Sequence, residues 1–267
     1  MDFFSTLMGD LERMRTSRPL VLNITNYVVA NSNANALLAL GASPAMTHFA
    51  DDLEELTLFA GALVINIGTP SRELLDGVFH AGTVAKQNGI PAVLDPVAAG
   101  ATTVRTEASY RFLKECSPAV VRGNASEIMA LAGVGATSKG ADSTRSADEA
   151  VDSARDVARM FQCAVSVSGA TDYITDGSRT LTVQGGHEMM PLVTGLGCTA
   201  TALTGAFLCV ARDSLTAATE AMAVMSTAGS MAAEKAGGPG TLQLYFYDAL
   251  YNLTLDDLRR HVIVEEV

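Results

Sequence analysis

Positive charge is scarce in this 267-residue chain: 18 Lys and Arg stand against 29 Asp and Glu, a net charge of −11. A chain of that sign repels phosphate backbones, which argues against a general nucleic-acid binder. If the ligand is a nucleotide, its charge must be met locally, by backbone N–H groups, a metal ion and a few placed Arg or Lys side chains. Cysteine is scarce too. Cys116, Cys163, Cys198 and Cys209 form no CxxC pair and accompany no histidine cluster. Neither a zinc site nor a disulfide framework is expected, and a reducing compartment is. Long apolar runs are missing, because Thr, Ser, Glu and Asp recur every few residues, so no segment suits a bilayer. The opening Met1-Asp2-Phe3-Phe4 lacks the basic-then-apolar order of a signal peptide. The expectation is a soluble, cytoplasmic protein. Linkers, internal repeats and low-complexity tracts are absent as well, which leaves one domain over residues 1–267.

What the chain does have is apolar material. Hydrophobic residues make up 48% of it and charged residues 18%, enough for a sizeable packed core. Short apolar runs at 20–23, 45–47, 62–67, 92–95, 119–122 and 164–168 read as strands. Between them, 28–40, 52–59, 71–88, 107–115, 126–131 and 147–161 read as helices. Strands apolar throughout, separated by amphipathic helices, predict βαβ units around a parallel sheet buried on both faces. Beyond Ser168 the pattern changes. Residues 173–175 and 179–184, joined by Asp176-Gly177, predict an antiparallel hairpin. From Cys198 onward the chain reads as nearly all helical, with an Ala-rich helix over 215–235 and a last one near 242–253. The expected architecture is a three-layer α/β/α sandwich with a mostly parallel central sheet and a helical C-terminal third.

Four stretches could carry chemistry. Val193-Thr194-Gly195-Leu196-Gly197-Cys198 precedes an Ala/Leu-rich helix. Gly195 and Gly197 would let backbone approach a ligand, and the first N–H groups of the helix would face it with the positive end of the dipole. Cys198 at that helix start would have a lowered pKa, or it is simply a small buried hydrophobe. The stretch is no P-loop, since the Lys-Ser/Thr ending is missing. Asp95-Pro96 closes a strand, where ligands collect in parallel sheets; Asp95 could hold a metal or a water, or merely open a turn. In Arg122-Gly123-Asn124-Ala125-Ser126-Glu127, Arg122 could reach phosphate oxygens. Asn124 with Glu127 fits a capping box, which is compatible with Glu127 standing beside Mg²⁺. The asparagine-rich run over 23–35 could hydrogen-bond a small polar ligand or a neighbouring subunit, or cap strand ends and helices. Met46, at a strand end, suits an apolar ring or the core. Lys235 and Gly237-Gly238-Pro239-Gly240 form a helix stop that could close over a base or phosphate. The four histidines have no readable base-like partner.

The order of these blocks is more specific than any one of them. Leu22-Asn23-Ile24-Thr25-Asn26-Tyr27-Val28-Val29-Ala30-Asn31 resembles the start of hydroxyethylthiazole kinases. Gly41-Ala42-Ser43-Pro44-Ala45-Met46, Asp95-Pro96-Val97, Arg122 to Glu127 and Lys139-Gly140-Ala141-Asp142-Ser143 continue the likeness. So do Gly186-His187, Val193 to Cys198 and Gly238-Pro239-Gly240-Thr241-Leu242-Gln243. The resemblance implies a ribokinase-like fold and ATP-dependent phosphorylation of 4-methyl-5-(2-hydroxyethyl)thiazole in thiamine salvage. It implies a homotrimer with the thiazole near the subunit boundary, and no nucleic-acid or membrane partner. Met46, Gly195 and Asn26 would meet the thiazole, Arg122 and Ser168 would meet ATP, and Asp95 and Glu127 would serve Mg²⁺. Cys198, with the N–H groups around Gly195 and Gly197, would be catalytic, in the place where many ribokinase relatives carry an Asp facing the acceptor hydroxyl. Two residues depart from the pattern: Ala98 stands where Gly is usual, and Leu196 where a small or hydroxyl residue is expected. Another vitamin kinase, an ATP-dependent dehydratase and a metabolite-binding module are the competing readings.

Overall fold

The computed structural model describes residues 2–133 and 147–267. The block over 139–143 lies outside the described residues. In chain order the elements are α1 (Phe3–Ser17), β1 (Leu20–Ile24), α2 (Ala30–Leu40), β2 (Ser43–Met46), α3 (Ala50–Phe59), β3 (Ala62–Asn66), α4 (Arg72–Gln87) and β4 (Ala92–Asp95). There follow α5 (Thr103–Cys116), β5 (Val120–Asn124), α6 (Ala125–Leu131), α7 (Val151–Phe161), β6 (Ala164–Ser168), β7 (Thr171–Thr175) and β8 (Thr180–Gln184). The C-terminal third holds α8 (Leu196–Leu208), α9 (Ser214–Lys235), α10 (Pro239–Asn252), α11 (Leu255–His261) and β9 (Ile263–Glu266).

The nine strands among the described residues form one sheet in the order β2-β1-β3-β4-β5-β6-β7-β8-β9. The pairs from β2 through β6 are parallel, and β7, β8 and β9 join antiparallel. Alternation along each strand builds two cores. Val21, Val64, Val93 and Val120 face α1, α2, α8, α9 and α10. Their neighbours Leu22, Leu63, Leu94 and Val121 face α3, α4, α5, α6 and α7. With both faces covered, β1, β3 and β4 are buried along nearly their whole length and read as continuous apolar runs.

Caps explain where several helices begin. Ser71 accepts from Leu74 N–H, Thr102 from Arg105 N–H and Asp213 from Thr216 N–H, each worth about 1 kcal/mol. Thr102 moves the start of α5 four residues ahead of the sequence expectation. Three elements were not expected. Helix α1 buries a sparse stripe of Leu7, Leu11 and Met14, α11 is seven residues long, and β9 is a mostly exposed edge strand. Among the described residues no helix is long and apolar enough to cross a membrane.

The sheet positions the site. Strand β1 is followed in sequence by its neighbour on one side, β2, and then by its neighbour on the other, β3. The chain reverses direction across the sheet there, and beyond the C-terminal ends of the strands flanking such a reversal is where open parallel sheets form their ligand crevice.

Candidate active site

Polar residues close the strands that border this crevice. Asn26 follows β1, Asn66 ends β3, Asp95 ends β4 and Asn124 ends β5. Three of them form a line of hydrogen bonds. Asn26 Nδ2 donates to Asn66 Oδ1 at 2.7 Å, and Asn66 Nδ2 donates to Asp95 Oδ2 at 2.7 Å. Thr201, one turn into α8, donates its hydroxyl to the same Asp95 oxygen at 2.9 Å. Asn26 Nδ2 also reaches Cys198 Sγ at 3.7 Å.

Helix α8 begins with Gly195 as its cap at φ +87°. A Cβ there would stand 2.4 Å from Val29 Cγ1, so glycine is required by both backbone and packing. Gly197 sits inside the first turn, with the Arg122 guanidinium 3.6–3.7 Å from where its Cβ would be. Leu196, the residue that departs from the expected pattern, is buried in the core beneath the turn.

Cys198 corrects one sequence expectation. Its thiol is pushed up to about 12, first by burial and then by the charge of Asp95, against hydrogen bonds from Asn66 and Asn26. The helix start lowers a thiol pKa only when the group is solvated or faces positive charge. Here burial and the Asp95 carboxylate outweigh the Arg122 charge and the helix start, so the resting group is the thiol.

The carboxylates are equally enclosed. Burial raises Asp95, and the Arg122 charge opposes the rise. Glu127 is raised to about 7 by burial and by Asp95, although the N–H groups of Ala98 and Asn124 and the charge of Arg122 favour its ionised form. Its oxygens accept Ala98 N–H at 2.8 Å and Asn124 N–H at 2.8 Å. The expected capping box is therefore present, with Glu127 N–H donating back to Asn124 Oδ1. Asp172, on β7, is raised to about 6 by burial, against Gly169 N–H and Arg122. One guanidinium thus acts on three buried carboxylates. Arg122 is 6% exposed and its Nε has no partner among the described residues, as expected of a group kept for an anionic ligand.

Of the sequence-predicted residues, Asn26, Asp95, Arg122, Glu127, Gly195, Gly197 and Cys198 come together here. Ser168 ends β6 opposite Asn124 and donates to Gly123 C=O at 3.4 Å, on the Arg122 side. Met46 lies on the edge strand β2, paired with Asn23 and half-buried. The asparagine run divides. Asn33 accepts from Thr199 and ties α2 to α8, while Asn31 and Asn35 pair on the surface. The glycine-rich segment after Lys235 ends α9, and Thr241 bonds Gly237 and Gly238. Sequence reasoning missed Asn66, Thr201 and Asp172. Asn66 had a signal, since it closes an apolar strand as Asp95 does. Thr201 sits among many Ala and Thr residues and had none.

The metal expectation can be tested on the donor set. Among the described residues no three His, Cys, Asp or Glu side chains converge as a cage. Mg²⁺ seldom uses one; it keeps water and binds through one or two carboxylates together with substrate phosphates. Asp95 and Glu127, buried and mutually repelling, fit that mode.

The sequence matches the hydroxyethylthiazole kinase family over residues 11–256. It is 52% identical to a hydroxyethylthiazole kinase of Oleidesulfovibrio alaskensis, over 98% of each chain. It is 45% identical to one of Photobacterium profundum, over 100% of this chain and 97% of that one. A solved hydroxyethylthiazole kinase protein from Pyrococcus horikoshii matches with a TM-score of 0.91 at 43% identity, covering 98% of this chain and 99% of that one. The pyridoxal kinase of Staphylococcus aureus, in complex with pyridoxal, gives a TM-score of 0.66 at 17% identity over 93% and 98%. At that identity the likeness is one of fold alone, the ribokinase-like sandwich.

Proposed function

The chain belongs to the hydroxyethylthiazole kinase family, and on that footing we propose how its strand-end crevice works. The enzyme transfers the γ-phosphoryl group of ATP to the hydroxyl of 4-methyl-5-(2-hydroxyethyl)thiazole, a step of thiamine salvage. The observation that carries the site assignment is the meeting of Cys198, Asp95 and Arg122 beneath the start of α8.

Phosphoryl transfer passes through a loose transition state, so positioning and charge stabilisation supply most of the rate. The N–H groups from Gly195 to Cys198 present the positive end of α8 to the moving phosphoryl group. Arg122, with its unpartnered Nε, binds phosphate oxygens, and Ser168 lies on the nucleotide side. Asp95 and Glu127 would hold Mg²⁺, directly or through water. When bound, that ion neutralises charge on the phosphate oxygens. On the acceptor side, Asn26, Gly195 and Met46 meet the thiazole. The Cys198 thiol is protonated before substrate binds, so it orients the acceptor hydroxyl. The oxygen–phosphorus bond to ADP breaks as the bond to the alcohol oxygen forms, and the alcohol proton passes late to an oxygen of the transferred phosphoryl group.

A homotrimer with the thiazole at the subunit boundary is part of the proposal. Its support is the apolar surface beside the acceptor side: Tyr27 is 73% exposed, Val28 63% and Phe49 61%. Such side chains, adjoining an edge strand, suit contact with another copy. Sedimentation equilibrium reads the subunit number. The chain acts as a single kinase domain, and its four unpaired thiols suit the reducing cytoplasm.

The direct test offers MgATP with hydroxyethylthiazole, hydroxymethylpyrimidine or pyridoxal, and follows ADP and phosphorylated product. Selective phosphorylation of the thiazole is expected. Preference for another alcohol would overturn the acceptor-side roles of Asn26 and Met46 while leaving the ATP side intact.

A further inference from the structure

Asn66 is 1% exposed, and its amide stands between two of the site's polar groups, Asn26 and Asp95. It ends β3 in register with Asp95 at the end of β4. Its amide has a single orientation. Gly68 N–H, which can only donate, reaches Asn66 Oδ1 at 3.0 Å, so the oxygen faces that side and the NH₂ group must face Asp95. Asn26 is pinned in the same way. Val28 N–H donates to Asn26 Oδ1 at 3.0 Å, which turns the Asn26 NH₂ group toward Asn66 and Cys198. The two amides therefore form a directed relay: Asn26 donates to Asn66, and Asn66 donates to Asp95.

A fixed frame supports the relay. Arg105, from α5, donates to Ile67 C=O at 2.9 Å, Gly68 C=O at 2.9 Å and Val97 C=O at 3.0 Å. One guanidinium thus ties the segment following Asn66 to the segment following Asp95. The planar fork holds its acceptors at fixed mutual positions. The approach of Gly68 is also close, since a Cβ there would stand 2.6 Å from Asn26 Nδ2. A buried amide with both ends engaged in this way cannot rotate without orphaning a donor or an acceptor.

We propose that Asn66 is a positioning residue for phosphoryl transfer: it locks the Asp95 carboxylate to the acceptor-side amide of Asn26 and keeps both in register with Cys198. It touches neither the alcohol nor the nucleotide, and acts through the side chains that do. This rests on the kinase reading of the crevice. The consequence is a particular kinetic signature. Loss of the relay leaves Arg122, Ser168 and Glu127 in place, so nucleotide binding persists while the reacting groups lose alignment. A displacement of about 1 Å costs on the order of 10²-fold in rate, and a loss confined to the transition state appears in kcat and not in KM.

The experiment compares wild type, Asn66→Ala, Asn26→Ala and the double variant. Steady-state turnover is measured on the alcohol that wild type phosphorylates best, and ATP affinity by calorimetry without acceptor. Wild-type turnover on the thiazole reads the kinase assignment alone, whereas the ratio of variant to wild type reads Asn66. Asn66→Ala is expected to lower kcat about 10²-fold with ATP affinity and the KM for ATP unchanged. In kcat the double variant should lose little more than Asn26→Ala alone, because both changes break one relay and Asn26→Ala already includes the loss of its own contact with the alcohol substrate. An unchanged kcat, a loss confined to KM, or independent multiplicative losses in the double variant would overturn the proposal. Should Asn66→Ala fail to fold, Thr201→Val removes the other donor to Asp95 Oδ2. It is expected to lower kcat about tenfold, the worth of one hydrogen bond to a charged group, and no change in kcat would again count against it.

Discussion

The backbone N–H of Ala98 donates to Glu127 Oε1 at 2.8 Å while Ala98 itself stands at φ +61°. The loop after Asp95 thus reaches the start of α6 by way of a left-handed residue. Non-glycine residues are strained there by about 1–2 kcal/mol.

Ala98→Gly should therefore relieve strain while keeping the N–H that Glu127 accepts. Part of the gain is offset by the greater freedom of glycine in the unfolded chain, so the net gain is at most about 1 kcal/mol. Urea midpoints of the two proteins measure it. A less stable Ala98→Gly variant would contradict the strained reading.

Glu127→Gln replaces one of two acceptor oxygens with a donor and removes the charge that faces Asp95. The Mg²⁺ concentration giving half-maximal turnover should rise. If the Mg²⁺ titration stays where it is in wild type, Glu127 is a cap residue and nothing more.

Gly195→Ala places a methyl 2.4 Å from Val29 Cγ1 at φ +87°. Strain and overpacking together should cost about 1–3 kcal/mol of stability and turn the first N–H groups of α8 away from the phosphoryl path. Val29→Ala added to it removes the clash and leaves the backbone strain. Partial recovery of melting temperature in the pair is the expected result, and no recovery would show that Val29 is not the obstacle.

Away from the crevice, α9 carries Glu220, fully buried and with neither oxygen hydrogen-bonded among the described residues. Burial raises it to about 8, against the charges of Arg13 and Arg212 and helped by Asp213. A carboxyl raised in the folded state stabilises fully below its unfolded pKa near 4.5, and that stability is lost as pH rises toward 8. Unfolding free energy should fall by a few kcal/mol, as an order of magnitude, between those limits. Glu220→Gln should flatten this slope and gain on wild type at pH 8. Parallel pH profiles of the two proteins would remove Glu220 as the cause.

Much of this is legible in the sequence, for identifiable reasons. Strands buried on both faces announce themselves as apolar runs, so β3, β4 and β6 are readable close to their bounds, and Asp95 stands out as the polar residue closing one of them. Asn124 and Glu127 are readable because a capping box is local. Cys198 can be located, but its protonation state cannot be read, since its pKa is set by burial and by Asp95, about a hundred positions away in the chain. Asn66 and Thr201 matter only through what tertiary packing sets beside them. Helix α1 and strand β9 escape notice because one has a thin apolar stripe and the other is an exposed edge.

The central claim is that the thiol beneath the start of α8 faces the reacting alcohol. The most direct measurement is thiazole-dependent ADP release by wild type, Cys198→Ala and Cys198→Asp under saturating MgATP. Cys198→Ala should lose on the order of 10²-fold in turnover, the cost of misplacing the acceptor hydroxyl by about 1 Å, while Cys198→Asp, with a carboxylate at the same helix start, retains activity. If all three turn over at the same rate, the alcohol does not meet Cys198 and the crevice has been assigned the wrong chemistry.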